Sequence, residues 1–213
     1  MPIPDAFFAA PTTDTDDRDR LWDELSRVRE ILADAKECLE WCRAEAAWNT
    51  LVHLPILKLA LRGRKDVSHE MITTASILEP YLPTDPSTNL PVSSKMVDFA
   101  LLLEPARDSS PLRSALESLV RSLPLDHKSI NATAYGKLQV CPAPVAIETK
   151  LGSVDEDEAK AQVGIWVAAW FARMSLLCGE GEGGAGVISV PVLLISGTTW
   201  SMYHASDSGD AVV

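Results

Sequence analysis

The stretch "PAPVAIETKLG", residues 142–152, decides the fold that the sequence predicts. Its apolar run, residues 145–147, is typical of a buried strand, yet Glu148 and Lys150 follow at once. In a strand, residues two apart share a face, so the carboxylate and the ammonium point into the same small volume. Two buried charges are tolerated mainly when they pair with each other or with a metal. The stretch is therefore a solvated strand end, a structural ion pair or a reaction centre.

A second acidic residue, Asp98, falls inside another predicted strand, "KMVDFALLLE", residues 95–104. Strands rarely accept an aspartate in the middle of the run. If this strand pairs with the first one, Asp98, Glu148 and Lys150 converge. Two carboxylates about 4 Å apart repel each other by about 4 kcal/mol at an effective dielectric of about 20. A divalent cation between them removes that penalty, so the three residues predict a metal site.

The chain outside these strands predicts an α/β or α+β fold, because helices and strands alternate along it. Residues 1–18 are expected to form a disordered acidic tail, and residues 19–213 a single domain. We expect a short helix and a turn-rich loop in residues 66–91, and a helix over residues 112–122. A capping box at residues 153–156 opens a helix that reaches Cys178. Two strands surround Gly197.

The first helix carries a heptad pattern of apolar residues, with steps that alternate between four and three. Its members are Leu21, Leu25, Val28, Leu32, Ala35, Leu39, Cys42 and Ala46. This pattern predicts a helix that either covers its own domain or pairs with a second copy of the chain. Pro55 is expected to kink or end the helix.

Composition narrows the function classes. The chain has 213 residues and a formal net charge of -11, which does not suit a protein that holds DNA or RNA by phosphate neutralisation alone. Its four cysteines show no zinc-ligand spacing. The N-terminus has no basic region or long apolar core, and the longest apolar stretch is interrupted by Arg173. We therefore expect an intracellular protein, cytoplasmic or nuclear, that does not span a membrane.

An aspartate on one strand and Glu-x-Lys on the next resembles the pattern of the PD-(D/E)XK nuclease-like superfamily, and more specifically its nuclease-like domain proteins of fungi. Further stretches carry the same resemblance. They are "EAAWNTLVHLPIL" (45–57), "INATAYGKLQVCPAPVAIETK" (130–150), "AQVGIWVAAWF" (161–171) and "VPVLLISGTTWSMYHA" (190–205). Together they cover most of the chain from about residue 40 to residue 205.

The resemblance implies a restriction-endonuclease-like core, in which helices flank a mixed central sheet. It also implies that Asp98 and Glu148 bind Mg²⁺ or Mn²⁺ together with the carbonyl of Thr149, and that Lys150 orients the attacking water. Hard oxygen ligands are those that Mg²⁺ requires.

Two further residues match acidic and amide positions of the superfamily: Glu45 on the first helix and Gln162 on the helix after Glu-x-Lys. Glu45 shares one helix stripe with Asn49 and His53, which either lines the site or forms a solvated edge.

Three functions remain open at this stage. The first is a metal-dependent phosphodiester hydrolase that acts on nucleic acid. The second is an enzyme of another class on the same fold that acts on a small molecule, for example in specialised metabolism. The third is a catalytically silent interaction module that forms a homodimer through the long helix. The acidic charge weakens the case for long DNA as the substrate.

Overall fold

The computed structural model describes residues 15–85, 87–105, 110–152, 156–178 and 189–207. The chain divides into two compact units, Met1–Ala60 and Leu61–Val213. The single domain expected over residues 19–213 stays a prediction. Most of the predicted acidic tail, residues 1–14, lies outside the described residues. Residues 15–18, which were also assigned to that tail, belong to the first helix instead.

The first unit is helical. It consists of α1 (Thr15–Glu40), α2 (Glu45–Trp48), a π-helical segment (Asn49–His53) and α3 (Leu54–Ala60). Its small core joins Ala35 and Cys38 of α1 to Trp48 and Val52.

The predicted long helix is interrupted much earlier than expected. α1 ends at Glu40, and Cys42 adopts a left-handed conformation with φ of 45°, which ordinary residues rarely occupy inside a helix. Pro55 does not end the second helical stretch, since it lies at the start of α3. Proline lacks the N–H that an α-helix needs, and the preceding turn is π-helical, with the Leu54 N–H bonded to the carbonyl of Asn49.

Most heptad positions of α1 lie outside the small core of the helical unit, and whether the helix pairs with a second copy stays a prediction. Ala35 is buried, but the large apolar residues of the pattern in α1 are exposed. These are Leu21, Leu25, Val28, Leu32 and Leu39. The helix packs through a neighbouring stripe that includes Cys38.

The second unit is built on a five-stranded mixed sheet of order β1-β4-β5-β6-β7. Its strands are β1 (Val67–Met71), β4 (Phe99–Leu103), β5 (Val145–Lys150), β6 (Ser189–Ser196) and β7 (Thr199–Ser206), and a separate hairpin joins β2 (Thr84–Asp85) to β3 (Leu90–Pro91). Only the β5–β6 pair of the large sheet is parallel. The α/β class with a mixed sheet is thereby confirmed.

Strand β1 was missed by sequence reasoning, which placed a short helix in this region. The segment "VSHEM" shows no clear alternation of apolar and polar residues, and all five are half-buried. It becomes a strand because β4 offers it a complete antiparallel partner, with Val67 opposite Leu103 and Met71 opposite Phe99.

Two helices complete the unit. α4 (Pro111–Ser122) begins one residue before the predicted start at 112, and the hydroxyl of Ser110 accepts a hydrogen bond from the N–H of Arg113. α5 (Glu156–Cys178) crosses from β5 to β6 and packs on both strands. The predicted capping residues 153–155 and the glycine-rich loop, residues 179–186, lie outside the described residues.

α5 is long and apolar enough to cross a membrane by length and composition alone. Its apolar side chains nevertheless fill the core of this unit, among them Val163, Trp166 and Val167. It also carries Arg173, which is only 4% exposed. These contacts are those of a core helix.

Arg173 organises the polar interior of the second unit. Its guanidinium donates hydrogen bonds to the hydroxyl of Tyr81 at 2.7 Å and to the carbonyls of Ser129 and His127. It also lies 5.1 Å from the centre of the Tyr81 ring. The buried charge is therefore held by carbonyl and aromatic groups that fix the loop before β5.

Candidate metal centre on strands β4 and β5

Strand β5 places Glu148 and Lys150 side by side. The ammonium nitrogen of Lys150 lies 2.6 Å from Oε1 of Glu148, and the Glu148 side chain is 3% exposed. Glu148 lies on the face that it shares with Ala146, which belongs to the main apolar core. The solvated strand end is therefore excluded, and a buried ion pair or a reaction centre remains.

Asp98 lies just before β4 rather than in the middle of that strand, which corrects the predicted span of residues 95–104. Its N–H donates to the carbonyl of Ile147 at 3.1 Å, and its carbonyl accepts from the N–H of Ile72 at 2.8 Å. The backbone of Asp98 is thus fixed between β5 and the end of β1.

The carboxylate of Asp98 is anchored on Thr149. Its Oδ2 accepts two hydrogen bonds from Thr149, one from the N–H at 2.9 Å and one from the hydroxyl at 2.7 Å. Thr149 is fully buried, and Asp98 is 9% exposed. Because Thr149 stands between Glu148 and Lys150, the structure brings the carboxylate of Asp98 to the predicted Glu-x-Lys segment.

Sequence reasoning missed the hydroxyl of Thr149, since it assigned a role to the carbonyl of this residue alone. A threonine between two charged residues of a buried strand was the available signal. The side-chain partner, however, is 51 positions away in sequence, and that pairing depends on the fold.

Gln162 lies on α5 and reaches the segment that leads to Asp98. Its Nε2 is 3.5 Å from the carbonyl of Met96. Its Oε1 is buried and has no hydrogen-bond partner among the described residues. The side chain therefore lies near the segment that precedes β4, and its role in the site stays a prediction.

Glu45 is the first residue of α2 and belongs to the helical unit. Its assignment to the metal site also stays a prediction. The two residues that follow it on the stripe are not a solvated edge, since Asn49 and His53 are 3% and 0% exposed. His53 bonds to Oδ1 of Asn49 through Nδ1 at 2.9 Å and lies beside the ring of Trp48.

A basic cluster, Arg62, Arg64 and Lys65, follows α3 and is partly neutralised by Asp66. Arg64 forms two hydrogen bonds with the carboxylate of Asp66, at 2.9 and 2.7 Å. These hydrogen bonds hold the pKa of Asp66 below its usual range and raise the pKa of Arg64. The pair offsets the charge of Arg64 and so reduces the positive charge that this segment offers to a phosphate.

Carboxylate and carbonyl oxygens, the donors predicted for this site, are the ligands that a hard divalent cation prefers. The described residues contain no group of three or more His, Cys, Asp or Glu side chains that could hold a metal, so a site formed entirely by side chains is not present among them. Mg²⁺ usually keeps several waters and binds through one or two carboxylates. The carboxylates predicted for such an ion are Asp98, just before β4, and Glu148 on β5, and their role as ligands stays a prediction.

A mixed sheet with an aspartate where one strand starts and Glu-x-Lys on the next defines the class: a restriction-endonuclease-like fold. The family model described as "PD-(D/E)XK nuclease superfamily" matches residues 2–212, and the chain belongs to that superfamily. No curated protein matched the chain, and no solved structure did so either. Membership suggests a nuclease-like function of the divalent-metal-dependent kind. The likeness to fungal members stays a prediction.

Proposed function

We propose that the protein hydrolyses phosphodiester bonds of nucleic acid at a site formed by Asp98, Glu148 and Lys150. The observation that carries the proposal is the pair of contacts made by Asp98, just before β4, and by Glu148 on β5. One carboxylate is anchored on Thr149, and the other is held 2.6 Å from the Lys150 ammonium. Family membership supports the reaction class.

In this proposal Asp98, Glu148 and the Thr149 carbonyl hold Mg²⁺ or Mn²⁺. When bound, the cation supplies Lewis acidity and a more acidic water. The protein's own residues position the site and exclude water from it. The carboxylates fix the site between two strands, and the low exposure of Glu148 limits competing water.

Lys150 acts as a hydrogen-bond donor in this arrangement. Its ammonium orients the attacking water and stabilises the negative charge that develops on the phosphoryl oxygens. The ion pair with Glu148 keeps its nitrogen at the site before substrate arrives, so little reorganisation is needed during the reaction.

The small-molecule alternative has weaker support. A cavity beside the Lys150 end of the sheet is lined by Gly152, Ser196 and Tyr203 among others, and its volume is about 180 Å³. Pockets for drug-sized ligands usually hold about 300–1,000 Å³. This cavity, taken alone, lies below that range.

The test is cleavage of plasmid DNA, single-stranded DNA and RNA, with and without Mg²⁺ or Mn²⁺. Lys150→Ala should abolish cleavage. Lys160→Ala is the matched control, because Lys160 also pairs with a glutamate, Glu156 at 2.8 Å, but on the exposed surface of α5. Absence of cleavage by the parent, or equal cleavage by the Lys150→Ala variant, would contradict the proposal.

A further inference from the structure

The exposed apolar stripe of α1 consists of Leu21, Leu25, Val28 and Leu32, and it is named the seam here. Leu25 is 38% exposed and Leu32 is 53% exposed. Four neighbouring large side chains therefore lie exposed on α1 and outside the core formed by the described residues of the helical unit. Contiguous exposed apolar patches of this kind commonly mark sites of interaction with another protein.

The spacing of the seam identifies the kind of partner. Its steps of four, three and four residues follow the 3.5-residue repeat that two supercoiled helices need. In heptad notation, Leu25 and Leu32 occupy a positions, and Leu21 and Val28 occupy d positions. A groove on a sheet or a loop surface would impose no such repeat, so the partner is another helix.

The flanking charges identify the partner helix and its direction. Glu24 occupies a g position, and Arg29 occupies the e position five residues later. In a parallel pair of identical helices, the g residue of one helix faces that e residue of the other. Two Glu24–Arg29 ion pairs therefore form across a parallel homodimer, while an antiparallel pair brings g to g and e to e.

We infer that two copies of the chain pair in parallel through the seam. The seam ends where Ala35 is buried inside its own unit, so the paired region is short and the dimer is reversible. Within its own helix, Glu24 forms only a long ion pair with Arg20, with 4.0 Å between Oε1 and the guanidinium, among the described contacts. This ion pair lies on the exposed surface, where it competes weakly with a partner helix.

Sedimentation equilibrium of the full chain over a concentration series tests this inference. The parent should approach twice the monomer mass as concentration rises, and Leu25→Glu/Leu32→Glu should stay monomeric with unchanged helical circular dichroism. Glu24→Arg and Arg29→Glu should each weaken the dimer, and the double exchange should restore it. A parent that stays monomeric, a dimer that survives in Leu25→Glu/Leu32→Glu, or a double exchange that fails to restore association would overturn the inference.

A second observation carries an independent inference, which rests on the proposed function. Both donors of Thr149 converge on Oδ2 of Asp98, at 2.9 and 2.7 Å. A carboxylate has two oxygens, and this arrangement commits one of them to the protein. We propose that the Thr149 hydroxyl is a positioning group that fixes the Asp98 carboxylate and directs its Oδ1 to the metal.

Groups that orient metal ligands typically contribute 10- to 100-fold to metal affinity. Thr149→Val has nearly the same shape, keeps the backbone hydrogen bond and removes the hydroxyl. We expect it to lower Mn²⁺ affinity by about tenfold or more, whereas Thr149→Ser keeps the hydroxyl and should bind Mn²⁺ within a few fold of the parent.

Mn²⁺ binding, measured by electron paramagnetic resonance of the free ion, gives a readout that does not depend on turnover. Thermal melting without metal shows whether each variant is folded. Parent-like affinity in Thr149→Val, or equal losses in Thr149→Val and Thr149→Ser, would overturn this inference alone. A parent that binds no Mn²⁺ would overturn the proposed function as well.

Discussion

The Lys150 ammonium lies 2.6 Å from a carboxylate oxygen of Glu148, and the two side chains are 17% and 3% exposed. Ion pairs this well buried are not strong evidence for stability, because desolvation offsets much of their attraction. Removal of one partner, in contrast, leaves an uncompensated charge. The pair therefore makes Lys150 the most informative position to change.

Lys150→Ala should destabilise the metal-free protein by about 3–5 kcal/mol, because Glu148 then stays buried without its ammonium. If the site binds a divalent cation, Mn²⁺ should raise the melting temperature of parent and variant alike. Calorimetry with and without Mn²⁺ measures both effects. A large loss in the variant and no effect of metal on the parent would show that the pair only holds the strand in place.

Asp98→Asn and Glu148→Gln should each weaken Mn²⁺ binding by tenfold or more, since each replaces a charged ligand by a neutral one. Asn at position 98 can still accept the Thr149 hydrogen bonds, so folding should be retained. Titration calorimetry measures the affinity. Asp66→Asn, at an exposed carboxylate bonded to Arg64, is the control and should bind Mn²⁺ like the parent.

Arg173→Met should lower the free energy of unfolding by about 3 kcal/mol or more. The change removes a buried cation but leaves the carbonyls of Ser129 and His127 without their donor, and each unsatisfied buried group costs about 1–3 kcal/mol. Urea denaturation measures the loss. Arg121→Met, at a side chain that is 69% exposed, should change stability by no more than about 0.5 kcal/mol.

The thiol of Cys38 provides a pH test of the first unit. Burial, the largest cause, raises its pKa, with a smaller opposing effect from Arg43. The unfolded thiol ionises near its ordinary pKa of about 8.5, while the folded thiol keeps its proton to higher pH. The contribution of Cys38 to stability is therefore fully present below about pH 8.5 and is lost as pH rises toward the folded pKa.

The measurement is denaturation of the parent and of Cys38→Ala between about pH 7 and pH 10, a range that brackets the unfolded thiol pKa. The difference in stability between them should narrow as pH rises. A difference that stays constant across this range would show that Cys38 does not ionise on unfolding as described.

Several elements were predictable because their signals are local. Glu148 and Lys150 share a strand face through the two-residue period, and the helix that follows them was predicted from a local capping pattern. The start of α4 follows from a serine before a proline, which fixes a cap without any distant contact. The sequence also defined the seam of α1, since a heptad repeat is visible in one dimension.

Other features depended on contacts between distant segments. Strand β1 exists because β4 offers it hydrogen bonds, although its own residues carry no strand period. Asp98 lies just before β4 and not in the middle of it, and its carboxylate is held by the hydroxyl and N–H of Thr149, 51 positions away in sequence. The uncovered state of the seam depended on which stripe of α1 packs in its own unit, and the pattern of apolar residues does not specify that choice. In each case the sequence by itself determined which side chains and backbone groups were available and how they repeat along the chain. Only the tertiary structure decided which distant groups meet, because their interaction energy depends on distances in space that local periodicity does not encode.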